Sequence, residues 1–320
     1  MAAKAWSGQQ KAVEEVFFRN ETVSLCLLIN RRARTMRVID FRAGPTSAKR
    51  LFVHSLALRE GVDKVYTLVE RDEVQTWLKL GFAKEGNIPG FYKRSDAFLL
   101  GCNVTAPRPA RSSQATHLEE IPVQSETRIA VAEPVDGAPG MSAGQELMER
   151  TIAAAKRSLK DIPERHLPQA KVAAIGEADA RKAVAAAVRS GRALTAFEPF
   201  GRDVERRHFV ASWRGSLELH ASIESQACFG NAYLELLEAP RTETEYLATV
   251  AALKAFGDKL LAEGVVSCFS LAPSDDVRLA SALLYNGFRR TGLLSKHLMV
   301  GAKRRDAILW SRKLANPADD

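Results

Sequence analysis

Cysteine is scarce in this chain, and histidine is hardly commoner. The four cysteines, Cys26, Cys102, Cys228 and Cys268, form no CxxC pair and fall mostly within apolar runs. That is the pattern of reduced thiols rather than of a disulfide framework. The six histidines, His54, His117, His166, His208, His220 and His297, show no HExxH or other ligand spacing, so no metal site is expected. No run of about 18 apolar residues occurs, and the opening MAAKAWSGQQKAVEEVFF has neither an apolar h-region nor a small-residue cleavage site. A membrane span and a secretory leader are therefore not expected, and the expected location is the cytoplasm.

What is present is ordinary globular material with a charge bias. The 320 residues suggest two domains, and hydrophobic and charged fractions of 46% and 26% suit folded chains. Forty-six Lys and Arg against 38 Asp and Glu leave a net charge of +8. Such an excess suits a polyanionic partner, whether nucleotide cofactor, nucleic acid or anionic lipid, or serves solubility alone.

Composition divides the chain. Residues 105–144 hold PRPARSSQAT and AEPVDGAPGMSAG around polar, non-periodic sequence and read as a disordered linker. Before it, strands are expected at 22–30, 37–41, 64–69, 83–87 and 97–101. Helices are expected at 47–60 and 72–80, the second capped by Asp72 and stopped at Gly81. After it, alanine-rich helices are expected at 145–160 and 177–190, then strands within 208–225 turning at Arg214-Gly215. A strand at 231–237, a helix at 244–262, a strand at 265–271, a helix at 276–285 and strands at 289–295 and 307–313 complete the chain. Strand and helix alternation implies a mixed sheet with parallel pairing at its middle. The expected divisions are 1–104, the linker 105–144, a helical segment 145–192 and a second unit 193–320.

The two flanks repeat. Gly61-Val62, Gly81-Phe82 and Asp96-Ala97-Phe98-Leu99-Leu100 in the first recur as Gly264-Val265, Gly287-Phe288 and Asp306-Ala307-Ile308-Leu309-Trp310 in the second. A helix ending in Gly-Phe before two strands, here LeuGlyPhe at 80–82 and AsnGlyPhe at 286–288, resembles the C-terminal signature of the GNAT acetyltransferase superfamily. The stretches 61–101, with Ile88-Pro89-Gly90-Phe91-Tyr92, and 269–314 are similar to the modules of bacterial and archaeal beta-lysine N-acetyltransferases. The resemblance implies an α/β fold of two GNAT-like mixed-sheet modules in tandem, the first truncated because it lacks the early strand and helices.

The resemblance also implies acetyl-CoA as cofactor, its pyrophosphate on backbone N–H groups at the start of the helix after the fourth strand. The family loop reads Gln/Arg-x-x-Gly-x-Gly/Ala, and both copies depart from it. The second reads Arg241-Thr242-Glu243-Thr244-Glu245-Tyr246, giving Arg241, Thr242 and Thr244 as candidate contacts. The first offers Gly44, Thr46, Ser47, Lys49 and Arg50, and its glycine and cations suit phosphate better than the glutamates of the second. Glu235 and Glu238 are candidate general bases and Tyr285 a candidate acid, although the family's acid station falls on Trp77 and Leu283. Phe91, Tyr92 and Trp310 either line an acceptor pocket or pack. Arg206-Arg207 and Lys303-Arg304-Arg305 either grip phosphate or are solvated.

The expected function is an acyl-CoA-dependent N-acyltransferase acting on a small amine or amino acid. One alternative is a catalytically inactive binding or regulatory protein of the same fold. The other follows Phe197-Glu198-Pro199-Phe200-Gly201-Arg202, which resembles the aminoacyl-transferase branch, whose donor is an aminoacyl-tRNA.

Overall fold

The computed structural model describes residues 13–104, apart from 22 and 43, and residues 141–315, apart from 163–166, 168, 214–216 and 227. The bulk of the expected linker and the turn at Arg214-Gly215 lie outside the described residues, as do His117 and His166.

The first half runs β1 (Val13–Arg19), β2 (Ser24–Asn30), β3 (Thr35–Asp40), α1 (Ser47–Arg59), β4 (Lys64–Val69), α2 (Val74–Lys79), β5 (Ala83–Ile88) and β6 (Ala97–Asn103). The second runs α3 (Ala143–Ser158), β7 (Lys171–Ile175), α4 (Glu177–Arg189), β8 (Glu205–Ser212), β9 (Glu218–Gln226), β10 (Asn231–Leu236), α5 (Glu243–Ala262), β11 (Ser267–Pro273), α6 (Val277–Tyr285), β12 (Arg289–Val300) and β13 (Lys303–Lys313). All thirteen strands join one sheet in the order β1-β2-β3-β4-β6-β5-β12-β13-β11-β10-β9-β8-β7. Read outward from the β5–β12 seam, the two halves repeat one order. In each the only parallel contact among the described residues is at the centre, β3 with β4 and β10 with β11. Among the described residues the first half has no counterpart of β7 or α4.

The repeated glycines are helix terminators. Gly61, Gly81, Gly264 and Gly287 all have φ between +65° and +89°, a backbone state that favours glycine. After each, the next N–H turns back into the helix, as from Phe82 to the Trp77 carbonyl (3.1 Å) and from Phe288 to that of Leu283 (3.0 Å). The repeated aspartates pin hairpin loops: Asp96 accepts from Gly90 N at 2.9 Å and Asp306 from Lys296 N at 2.8 Å.

Two strands escape the sequence pattern. β1, VEEVFFR, is a half-exposed strand with two glutamates, and β7 is a short, largely exposed edge. Neither carries the apolar run that marks the buried β4, KVYTLV. Asp72 falls in a single 3₁₀ turn at Arg71–Glu73 with no side-chain cap, so it does not start the helix as expected.

Three cores result. One lies between α1, α2 and the first half-sheet, and another between α3, α5, α6 and the second. The third joins the halves through the opposite sheet face, with Tyr66, Phe91, Phe200, Tyr233, Phe269 and Leu309 among its members. Each large side chain buried there contributes about 1.5–3 kcal/mol, while an exposed pair such as Arg31–Glu14 contributes under about 1 kcal/mol. Apolar burial therefore holds the halves together, and polar contacts set their register. At the seam Gly86 pairs Gly292. Arg304 crosses it to Asp63 Oδ2 (2.9 Å) and to the carbonyls of Ala33 and Arg34. Arg304 is thus an internal clamp rather than part of a solvated or phosphate-gripping run, and Trp310 is fully buried packing.

Candidate functional site

The topology creates two equivalent clefts, one in each half, where the central parallel strands part. In the second half β10 and β11 pair only from Asn231↔Ser267 to Tyr233↔Phe269, so their C-terminal ends diverge. In the first half the pairing of β3 and β4 stops at Val38↔Thr67, leaving Ile39–Asp40 and Leu68–Val69 apart. In each, the helix after the first of these strands, α5 or α1, starts at the parting.

The second cleft brings Glu235 and Glu238 to the end of β10. Glu235 is buried and both its oxygens are engaged, Oε1 by the Thr195 hydroxyl (2.6 Å) and Oε2 by Arg206 Nη1 (2.5 Å). Burial pushes its carboxyl upward against the pull of Arg206. Arg206 also holds Glu224 at 2.5 Å and the Glu198 carbonyl at 2.6 Å, so it is a buried cross-link and not a phosphate grip. Glu238 pairs Arg192 at 2.7 Å. Tyr285 ends α6, about 13 Å of helix from Asp276 at its start, and packs against the second core. It is not brought to Glu235. The family's acid stations, Trp77 and Leu283, are buried core residues.

On the helix side of this cleft a cavity of about 800 Å³ is lined by Arg192, Arg241, Arg278, Arg305, Glu243, Asp275 and Asp276, among others. Its charges alternate, as in the Arg305–Asp275 pair at 2.6 Å, so the lining sets up no strongly positive field. Thr242 caps α5 in a reciprocal box: its hydroxyl accepts from Glu245 N (3.1 Å), and Glu245 Oε2 accepts from Thr242 N (3.3 Å) and Arg241 N (2.6 Å). Thr244 is exposed in the first turn. Tyr246, at a position the family keeps small, is buried with its hydroxyl 2.7 Å from that of Ser281. With the N–H groups of Arg241, Thr242 and Glu245 taken and two glutamates in the first turn, the start of α5 fits a pyrophosphate poorly.

The first cleft differs. Thr46 caps α1, accepting from Lys49 N at 3.2 Å, and Ser47 is its first residue. The first turn has no acidic residue. Lys49 is buried. Its ammonium pairs Asp40 and donates to the carbonyls of Arg42 (2.7 Å) and Gly44 (2.9 Å). It therefore folds the loop and carries no free charge to phosphate. Arg50 lies against Gly81, at the far end of α2. Gly44 has φ +124° with open space around it. The residues present fit a phosphate on backbone N–H groups, with Gly44 allowing close approach, and not on the cations the sequence suggested.

On the opposite sheet face of this cleft lies a cavity of about 310 Å³, lined by Arg37, Asp40, Glu73, Tyr92, Arg202 and Phe229, among others. Arg37 is 8% exposed. It donates to the Phe200 carbonyl at 2.7 Å and stacks over the Phe200 ring, while its Nε meets no partner and it forms no ion pair among the described residues. Burial, reinforced by Asp40, Asp72 and Glu70, raises the Glu73 carboxyl, and burial pushes the Tyr92 phenol up to about 12. Arg202 and Phe229 come from the second half, which thereby closes the cavity of the first. Sequence reasoning missed Arg37 and Glu73. Arg37 interrupts the apolar run Met36, Val38, Ile39 of β3, TMRVID, and that was the available signal.

Among the described residues no group of His, Cys, Asp and Glu could hold a metal ion, and no helix is long and apolar enough to cross a membrane. No family model and no curated protein matches the chain. Solved structures similar to part of it include the ribosomal-protein-S18-alanine N-acetyltransferase of Escherichia coli. That match has 16% identity and a TM-score of 0.36, covering 48% of this chain and 98% of that one. Spermidine N-acetyltransferase of Vibrio cholerae, in complex with CoA and spermine, is similar at 12% identity and a TM-score of 0.38, covering 46% and 97%. Matches this distant say nothing of substrate; the α/β architecture rests on the chain's own mixed, duplicated sheet.

Proposed function

We propose that this is an N-acyltransferase of the GNAT type, built from two modules, whose transfer site lies in the first half and whose acceptor is a small amine carrying a carboxylate. The observation that carries this reading is Arg37, a buried cation with no ion pair among the described residues that lines a cavity at the parting of β3 and β4. Buried charges persist where a partner group compensates them, and a carboxylate of the acceptor is such a group. Glu73 on the same lining suits the amine.

An acyl-CoA, its phosphates on the amides of Ser47 and Ala48, would supply the acyl group as an activated thioester. The chain's own part is positional and protonic. Glu73 is a carboxylate whose raised affinity for protons suits it to take one from the acceptor's ammonium, freeing the amine lone pair for attack. Tyr92 keeps its phenol proton at neutral pH and could donate it as a hydrogen bond to the thiolate that the acyl group would leave. Arg202 and Phe229 cover the cavity, holding water away from the reacting groups. With Lys49 committed to Asp40, donor binding is expected to be weak. The resemblance of 61–101 to beta-lysine acetyltransferases supports the same half, since Phe91 and Tyr92 line this cavity.

The test is acyl transfer from acetyl-CoA to amino acids and to matched amines without a carboxylate. Glu73→Gln should lower kcat about 100-fold. Arg37→Met should raise KM for amino acids at least tenfold and leave the simple amines unchanged. Binding of an amino acid without turnover, at any donor concentration, would favour the second reading, a binding protein of this fold. The commitment of Lys49 to Asp40 is the observation on that side.

A further inference from the structure

The third residue of the helix after the central strand is charged in both halves, with opposite sign and opposite aim. In α1 it is Lys49, which turns back to the loop carbonyls of Arg42 and Gly44. No carboxylate of its own helix fills the start of α1. In α5 it is Glu245, which turns back to the loop N–H groups of Arg241 and Thr242. Arg192 Nη2 meets the other oxygen of Glu245 at 2.9 Å, so this carboxylate is surrounded as an oxyanion ligand would be: two backbone amides and a guanidinium. Burial alone would raise it, but these hydrogen bonds outweigh burial and hold it below the ordinary carboxylate value. Independently of that cap, the Tyr246 hydroxyl meets Ser281 of α6, and Arg278 of α6 donates to the Arg241 carbonyl at 2.6 Å. The two helices that would flank a donor are thereby tied to each other.

We infer that the second half is sealed against phosphate-bearing donors by the chain itself, with the Glu245 carboxylate standing in the place of a phosphate. A diphosphate entering there would have to displace a carboxylate already satisfied by three donors, and until it did so would meet like charge from Glu243 and Glu245. A helix start with its amides open is an anion site; one filled by its own side chain is a cap. The inference concerns the second half alone and stands or falls apart from the reading of the first.

Hydrogen exchange on the full chain, followed by mass spectrometry with CoA or inorganic pyrophosphate as probe, separates the two. In the wild type, neither probe should slow exchange of peptides spanning 241–249. In a Glu245→Ala/Tyr246→Ala variant, pyrophosphate should slow them at least fivefold. Should the double change unravel the start of α5, Glu245→Ala alone keeps the Tyr246 packing and should give the same gain. Protection of 241–249 in the wild type would overturn the inference, as would no gain in either variant with α5 still protected. Peptides spanning 41–50 report on the first half separately, and failure to find protection there would count against that reading only.

Discussion

His297 shows what burial does to a single side chain in this protein. It lies on β12 against the Tyr66 ring, 4.8 Å between centroids, with Nδ1 meeting no partner. Burial, helped by the charges of Lys64 and Arg304, lowers it from 6.5 to about 3. The unfolded chain takes up a proton near pH 6.5 that the folded chain refuses until about pH 3, so stability falls as pH drops through that window. The full effect is on the order of 5 kcal/mol. Urea midpoints measured from pH 7 to pH 4 should therefore fall more steeply in the wild type than in His297→Gln, and parallel curves would show that His297 is not the cause. None of this was legible in the sequence, where His297 is one of six histidines without spacing. Lys49 and Arg206 teach the same lesson. Composition counts a charge, but only the fold says whether a carboxylate 9 or 29 residues away already holds it.

Elements were far more legible than pairings. The helix-ending glycines and the buried strands β4, β6 and β10 stand out because a left-handed terminator and an apolar run each have one local cause. Edge strands have none, and β1 and β7 pair through backbone groups that any sequence supplies. The capping box of α5 was equally readable, as Thr242 three residues before Glu245, yet a loop compared with a family pattern draws the eye to missing glycines instead. Thr242→Ala should cost about 1 kcal/mol of stability, read as a shift in the denaturation midpoint. The equivalent Thr46→Ala should cost less, since its cap lacks the reciprocal carboxylate. Equal losses would mean that the box adds nothing to the cap.

The repeat foresaw two like units, but not that they would share a sheet. The seam depends on Gly86 and Gly292, and nothing in either glycine's neighbourhood announces a partner two hundred residues away. A Cβ on Gly292 would sit against the Glu85 carbonyl and 2.5 Å from Gly86 Cα, backbone that cannot swing aside. Gly292→Ala should therefore lower stability by about 1–3 kcal/mol, checked by thermal unfolding, while Gly301→Ala, exposed at a turn, should be affected only through its positive φ. Every other ladder in the sheet closes within one half. Joining Gly86 to Gly292 bridges a sequence separation of roughly two hundred residues, so the seam is favourable only once the ladders within each half have shortened that loop. Each half can thus reach its own topology while the faces bearing Tyr66, Phe91, Tyr233 and Phe269 are still wet, and the seam is the last ladder to form. During synthesis the first half would wait with that apolar face uncovered, which makes it the natural place for a chaperone to act.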